Sequence, residues 1–166
     1  MSDVRIIDAD PATLREYGTC FYKNPKTPGF LEKLEWSTAR FDEGMKMKYL
    51  ITEKDGSQGM IEYLPGEVCW RPVSAEGYFF IHCLFIYKKD YKGKGFARML
   101  LEECINDAHA QGKHGVAIVT RKGSFMIGSE LFLKHGFEVV DQGPPDFELL
   151  VLKFDESAPN PQFRQS

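Results

Sequence analysis

Apolar and polar positions along this chain change period several times, and each change marks an element. Val4 to Ile7 is a short apolar run that predicts a strand. Asp10-Pro11 reads as an N-cap followed by proline in the first turn, opening a helix over Ala12 to Tyr17. Asn24-Pro25-Lys26-Thr27-Pro28-Gly29 has the composition of a loop. Phe30 to Glu43 is helical by period, with Phe30, Leu31, Leu34, Thr38 and Phe41 near one face and Gly44 at the end. Lys46 to Glu53 and Gln58 to Leu64 predict a hairpin around Lys54-Asp55-Gly56-Ser57. Pro65-Gly66 closes its second strand, and Glu67 to Ala75 is read as a loop or short irregular strand.

Tyr78 to Ile86 is apolar on both faces, which predicts a central strand. In Phe96 to Ala108, residues Ala97, Leu100, Leu101, Cys104, Ile105 and Ala108 form one face of a helix; Glu102, Glu103, Asn106 and Asp107 form the other. Gly112 is placed to end it. Val116 to Thr120 is the next buried strand. Strand, helix and strand make a βαβ unit with parallel strands and a right-handed crossover. A short helix from Glu130 closes at Gly136-Phe137, and strands at Glu138 to Asp141 and Phe147 to Phe154 flank Gly143-Pro144-Pro145. The expected architecture is α/β, a mixed sheet flanked by helices, with residues 1–154 as one domain. Asp155 to Ser166, polar and proline-containing, is expected to be a loose tail.

Composition narrows the class. The chain has 166 residues, 43% of them hydrophobic and 27% charged, enough for a sizeable core. A formal net charge of -3 argues against a general nucleic-acid binder. No apolar run approaches the ~20 residues of a membrane helix. Met1-Ser2-Asp3-Val4-Arg5 has no signal-peptide pattern, so a cytoplasmic protein is expected. Cys20, Cys69, Cys83 and Cys104 make no CxxC and no zinc-type Cys/His spacing; reduced thiols and no metal are expected. His82 and Cys83 are adjacent on a strand and so should point to opposite faces, which argues against a dyad.

Against this acidic background stands a basic glycine turn, Lys92-Gly93-Lys94-Gly95-Phe96-Ala97, between the central strand and the long helix. Lys88, Lys89 and Arg98 lie in the same turn. Glycines let backbone approach an anion, and the first N–H groups of the helix face it unpaired. An ordinary tight turn is the competing reading of Gly93 and Gly95, and a solvated loop that of Lys88 and Lys89. No G-x-x-x-x-G-K-[ST] pattern is present, which excludes a nucleotide P-loop.

The turn resembles the Gln/Arg-x-x-Gly-x-Gly/Ala pattern of GNAT acetyltransferases, with Lys92 in the Gln/Arg position. Val116-Ala117-Ile118-Val119 resembles the strand after the family's helix, and Lys134-His135-Gly136-Phe137 resembles the Gly-Phe end of its short helix. The likeness runs from about Met47 to Phe154. It implies a splayed sheet with acetyl-CoA as cofactor. The pyrophosphate would lie on the N–H groups of Lys92, Gly93, Lys94, Gly95, Phe96 and Ala97; the pantetheine would pair with backbone near Leu84, Phe85 and Ile86. It also implies an amine acceptor, small molecule or peptide, with a homodimer as a candidate assembly.

Acetyl transfer to an amine needs a held cofactor, a stabilised oxyanion and a base. Glu76, His82 and Glu62 are the candidate bases, Glu76 and His82 ahead of Glu62. A glutamate in an alternating strand commonly sits on a solvated face, and a histidine in an apolar strand is commonly a satisfied core residue. Trp36, Trp70, Phe21 and Tyr22 could line an acceptor pocket, although such aromatics are usually core. The tyrosine that many family members place before the final glycine is Phe132 here, and an associated asparagine is Phe125. Both departures favour a rival reading, a non-catalytic acyl-CoA-binding module. A phosphometabolite- or nucleotide-binding domain without acyl chemistry is a third.

Overall fold

The computed structural model describes residues 4–17, 26–54, 56–87, 95–121 and 129–164. Lys88, Lys89, Lys92, Gly93, Lys94, Phe125, Cys20, Phe21 and Tyr22, all singled out above, lie outside the described residues.

Seven strands form one sheet: β1 (Val4–Asp8), β2 (Lys46–Thr52), β3 (Gly56–Pro65), β5 (Tyr78–Ile86), β6 (Gly115–Arg121), β7 (Glu138–Gly143) and β8 (Phe147–Lys153). Their order across the sheet is β1-β2-β3-β5-β6-β8-β7. Among the described residues only β5 and β6 pair in parallel; every other adjacent pair in the sheet is antiparallel. β4 (Val73–Ser74) and β9 (Gln162–Phe163) pair separately as a short ribbon. Helices α1 (Pro11–Tyr17) and α2 (Phe30–Asp42) pack on one face through Leu14, Phe30 and Leu34. Helices α3 (Phe96–Ala110) and α4 (Ser129–Lys134) cover the other through Leu100, Leu101, Cys104, Ala108 and Phe132. The expected mixed α/β sandwich is therefore present, with β5 buried in its middle.

Local chemistry accounts for the elements. Asp10 Oδ1 accepts from the Thr13 N–H at 2.8 Å, while Thr13 Oγ1 accepts from the Asp10 N–H at 2.7 Å, a reciprocal cap on α1. α4 ends where Gly136 takes φ 90°, with Gly136 N–H bonded to Leu133 O and Phe137 N–H to Phe132 O. The rings of Phe132 and Phe137 then meet at 5.4 Å, the apolar contact that accompanies such a cap.

Two expectations are corrected. Leu31 is 60% exposed and off the apolar face of α2. Residues 155–164 are tied down rather than loose. Val73 pairs with Phe163, Arg164 N–H donates to Pro72 O at 2.8 Å, and Tyr78 Oη donates to Pro159 O at 2.9 Å. Alternation could not predict this, because β9 is only two residues long.

Candidate active site

Pairing between β5 and β6 runs from Tyr78↔Gly115 to Ile81↔Ile118 and stops there. β5 continues to Ile86 and β6 to Arg121, so the strands diverge from His82 onward. On its other side β5 stays paired: Leu84 with Ile61, Phe85 with Met60 and Ile86 with Gly59. From His82 to Ile86 the β6-facing edge of β5 thus meets no strand among the described residues, an opening at the carboxyl ends of the parallel pair. On the β6 side of it, Thr120 Oγ1 is buried without a hydrogen-bond partner among the described residues.

A bulge lies at the point of divergence. Glu62 is opposite Cys83, but Tyr63 is opposite Ile81, so His82 is the extra residue. Its effect on side-chain direction is specific. Phe80 belongs to the core under α1 and α2, and His82, two residues on, meets its ring at 5.2 Å. Leu84 and Ile86 belong to the opposite core, which puts Cys83 back on the same face as His82. The expectation that His82 and Cys83 point apart is overturned: an inserted residue breaks the two-residue period on which it rested. Glu62, between Ile61 and Tyr63 of the opposite core, shares this face.

Among the described residues both Glu62 and His82 are buried with an atom that finds no hydrogen-bond partner, Glu62 Oε1 and His82 Nε2. Orphaned buried polar atoms in a folded protein call for an explanation, and a bound ligand is one. Burial raises the Glu62 carboxyl above its ordinary value, partly offset by the charge of Lys33. Burial, then the charges of Arg71 and Lys33, push His82 down to about 3, so its imidazole is neutral near pH 7.

The outer wall is aromatic. Trp70 lies over His82 with ring centroids 3.7 Å apart, and Trp36 meets Trp70 edge-on at 4.6 Å. Lys33 Nζ stands 4.2 Å above the Trp36 ring. Trp36 comes from α2, and Trp70 and Arg71 from the segment between a 3₁₀ turn (Gly66–Val68) and β4. Sequence reasoning named the two tryptophans but not Lys33 or Arg71. The usable signal was a tryptophan off the apolar stripe of α2, which a core role does not explain.

Glu76 is not brought to this site. It is exposed in the turn before β5, where Gly77 packs against His114. That is the opposite end of the parallel pair, roughly 20 Å along the strand from His82 at ~3.3 Å per residue.

The described part of the glycine turn opens α3. Gly95 has φ 83°, a left-handed conformation that disfavours other residues, and a Cβ there would meet only Arg98 Nη2 at 3.5 Å. Gly95, Phe96 and Ala97 thus begin a helix of 15 residues, whose N-terminal dipole favours an anion, with Arg98 folded beside it. Phe132 is fully buried under α3, its ring committed to the α4 cap.

Among the described residues, Cys69, Cys83 and Cys104 form no disulfide and no cluster of possible metal ligands occurs. No described helix is long and apolar enough to cross a membrane.

Comparison with known proteins gives a consistent answer. A Salmonella typhimurium protein, yncA, solved with its cofactor acetyl-CoA, superposes with a TM-score of 0.68 at 23% identity, covering 95% of this chain and 98% of that one. The GNAT family N-acetyltransferase YhbS of Escherichia coli, solved with CoA, gives 0.63 at 14% identity over 99% and 91% of the two chains. In sequence, the uncharacterized N-acetyltransferase YoaP of Bacillus subtilis is 35% identical over 135 residues, 80% of this chain. The chain spans about half, 52%, of YoaP. The model of the acetyltransferase (GNAT) family matches residues 11–137, and on that match, with the splayed strands to support it, this chain belongs to the GNAT family of acetyltransferases.

Proposed function

We propose that this chain is an acetyl-CoA-dependent N-acetyltransferase, in which the amine of an acceptor attacks the thioester directly in a ternary complex. One observation carries the reading: β5 and β6 part beyond Ile81↔Ile118, and the bulge beside that point sets His82, Cys83 and buried Glu62 on one face. Acetyl-CoA supplies an activated acyl group as a thioester. The stretch of β5 beyond its pairing with β6, at Leu84, Phe85 and Ile86, the Thr120 hydroxyl, and the helix start at Gly95, Phe96 and Ala97 fit its extended arm and its phosphates. Lys92, Gly93 and Lys94 complete the proposed cofactor contacts.

Glu62 is the proposed base. An ammonium ion must lose a proton before it can attack, and a carboxylate whose proton affinity is raised by burial accepts it more readily. His82, neutral and beside the acceptor, orients the amine by a hydrogen bond and does not take its proton near pH 7. Glu76 has no part. Phe132 offers no acid to the departing thiolate, and none is required, because a thiol of pKa about 8.5 leaves tolerably near neutral pH. The reduced thiols fit a cytoplasmic protein.

Buried Phe132 in the usual tyrosine position also favours a second reading, an acyl-CoA-binding module without turnover. Thiol release from acetyl-CoA, measured with and without a panel of amines, separates the two. Amine-dependent release supports the enzyme, and tight binding without release supports the module. Gly95→Asp, which adds a negative charge at the proposed phosphate site, is expected to weaken acetyl-CoA binding at least tenfold, ~1.4 kcal/mol. Unchanged affinity in a folded Gly95→Asp protein sinks both.

A further inference from the structure

Resting on the acyltransferase reading above, we propose that the Thr120 hydroxyl donates a hydrogen bond to the cofactor's sulfur and stabilises it as the thiolate departs. Thr120 is 6% exposed, and its Oγ1 has no hydrogen-bond partner among the described residues. A buried threonine ordinarily satisfies its hydroxyl close by, as Thr38 does by donating to Leu34 O at 2.8 Å. That bond needs a helix. A strand gives its carbonyls to its neighbours, and β6 pairs with β8 without a break from Gly115↔Lys153 to Arg121↔Phe147. A ligand at the opening supplies the partner that the sheet does not.

Register fixes where this hydroxyl points. Val116 and Ile118 belong to the core under α3 and α4, while Ala117 and Val119 pack into the opposite one. No bulge interrupts the pairing of β6 with β8, so Thr120 continues the first series and faces α3 and α4. It stands two residues past Ile118, the last residue of β6 paired with β5, roughly 6–7 Å at ~3.3 Å per residue. Leu84 and Ile86 of β5 and Phe96 at the start of α3 share its face. Glu62, His82 and Cys83 share the other.

The two faces divide the reaction. The phosphates are proposed at the start of α3, and the amine beside Glu62 and His82, so the thioester has to present itself through the opening. Its carbonyl carbon turns to the amine, and its sulfur to the face from which the arm arrives. The rest of the arm is proposed beside Leu84, Phe85 and Ile86, farther from the fork, which leaves its thiol end nearest Ile118. Thr120 is at that depth and on that face. As the carbon–sulfur bond breaks, the bonding pair moves to sulfur and the amine's proton goes to Glu62. Thr120 keeps its own proton and offers it in a hydrogen bond. A buried thiolate is disfavoured by desolvation, and a charge-assisted O–H···S⁻ bond offsets that cost. Phe132, its ring fully buried in the α4 cap, has no hydroxyl to do so.

Thr120→Val keeps the shape of the side chain without its hydroxyl, and Thr120→Ser keeps the hydroxyl. Four quantities are measured for each: thermal unfolding without ligand, acetyl-CoA affinity by calorimetry, kcat for amine-dependent thiol release, and the pKa of the bound CoA thiol. The last is read from the ultraviolet absorbance of the thiolate, against protein loaded with a CoA analogue lacking the sulfur. Ligand-free Thr120→Val is expected to unfold at the parent's temperature or above, because an unsatisfied buried hydroxyl has been removed. It should bind acetyl-CoA within about threefold of the parent, raise the bound-thiol pKa by about one unit, a tenfold loss of acidity, and lower kcat about tenfold or more. Thr120→Ser should restore both the thiol pKa and kcat. An unchanged thiol pKa in Thr120→Val overturns the inference, and if acetyl-CoA affinity falls instead, the hydroxyl serves another part of the arm. Clear destabilisation of the ligand-free valine variant overturns it too, since the hydroxyl then has a partner within the protein. These outcomes leave the acyltransferase reading standing. A parent protein that binds no acetyl-CoA, or binds it and turns over no amine, overturns that reading and this inference with it.

Discussion

Trp70 lies flat enough on His82, 3.7 Å between centroids at 34°, to shield the imidazole from water although Trp70 itself is 43% exposed. Burial, to which this contact contributes, is the largest cause of the fall in the His82 pKa from 6.5 to about 3. The sign of its effect on stability follows. The unfolded chain protonates this group below pH 6.5 and the folded chain only near 3, so the unfolded state gains protons first as pH falls. Stability is therefore full above about pH 6.5 and declines toward pH 3, by up to ~1.4 kcal/mol per pH unit from this one group. Denaturant unfolding from pH 7 to 3.5 should show a shallower decline in His82→Phe than in the parent. Parallel curves remove the premise.

Glu62 has the opposite sign. Its folded pKa is raised above the ordinary 4.5, so its neutral form is favoured by folding and that contribution is present below about pH 4.5. It is lost as pH rises through the folded value. Glu62→Gln cannot ionise, so the variant should gain stability over the parent as pH rises above 4.5. The same change should lower kcat/KM by ~10²–10⁴ and remove the acid limb of the pH–rate profile. A variant that keeps its rate and its acid limb takes Glu62 out of the chemistry.

Phe132 is bound to its own helix end. Its carbonyl accepts from Phe137 N–H and its ring meets that of Phe137, all without exposure to solvent. Phe132→Ala should destabilise by about 3–5 kcal/mol. Phe132→Tyr should cost about 1–3 kcal/mol if the new hydroxyl finds no partner, with kcat within about tenfold of the parent. Thermal unfolding and steady-state kinetics on the same preparations check this. Turnover appearing only in the tyrosine variant points to the inactive module.

The C-terminal strand holds the wall of the proposed acceptor site. β9 pairs with β4, Arg164 N–H reaches Pro72 O, and Phe163 N–H donates to Asp141 Oδ2 at 2.9 Å, linking the Trp70–Arg71 segment to β7. Removal of residues 161–166 should raise KM for the acceptor several-fold and leave acetyl-CoA affinity within about twofold. Equal losses for both substrates mean general destabilisation and not placement of this wall.

Much of the fold was readable from short-range patterns. The Asp10 cap, the apolar run from Tyr78 to Ile86, the amphipathic face of α3 and the Gly136-Phe137 stop each depend on residues within a turn or two of one another. The proposed cofactor end of the site shares that property, since a strand, a glycine turn and a helix start are consecutive in the chain. The acceptor end does not. That His82 and Cys83 share one face with Glu62 depends on the extra residue in the β3–β5 register, and a bulge is set by cross-strand pairing, not by the strand's own alternation. Glu76 and His82 look equivalent in sequence, yet Glu76 lies in the turn before β5 and His82 in the middle of that strand. Trp36 and Trp70 touch only because α2 and the segment before β4 pack against the same face, and β9 anchors that segment from the far end of the chain. Periodicity fixes which side of an element is buried; contact between distant elements is decided by how their buried sides fit together, and only the tertiary structure holds that information.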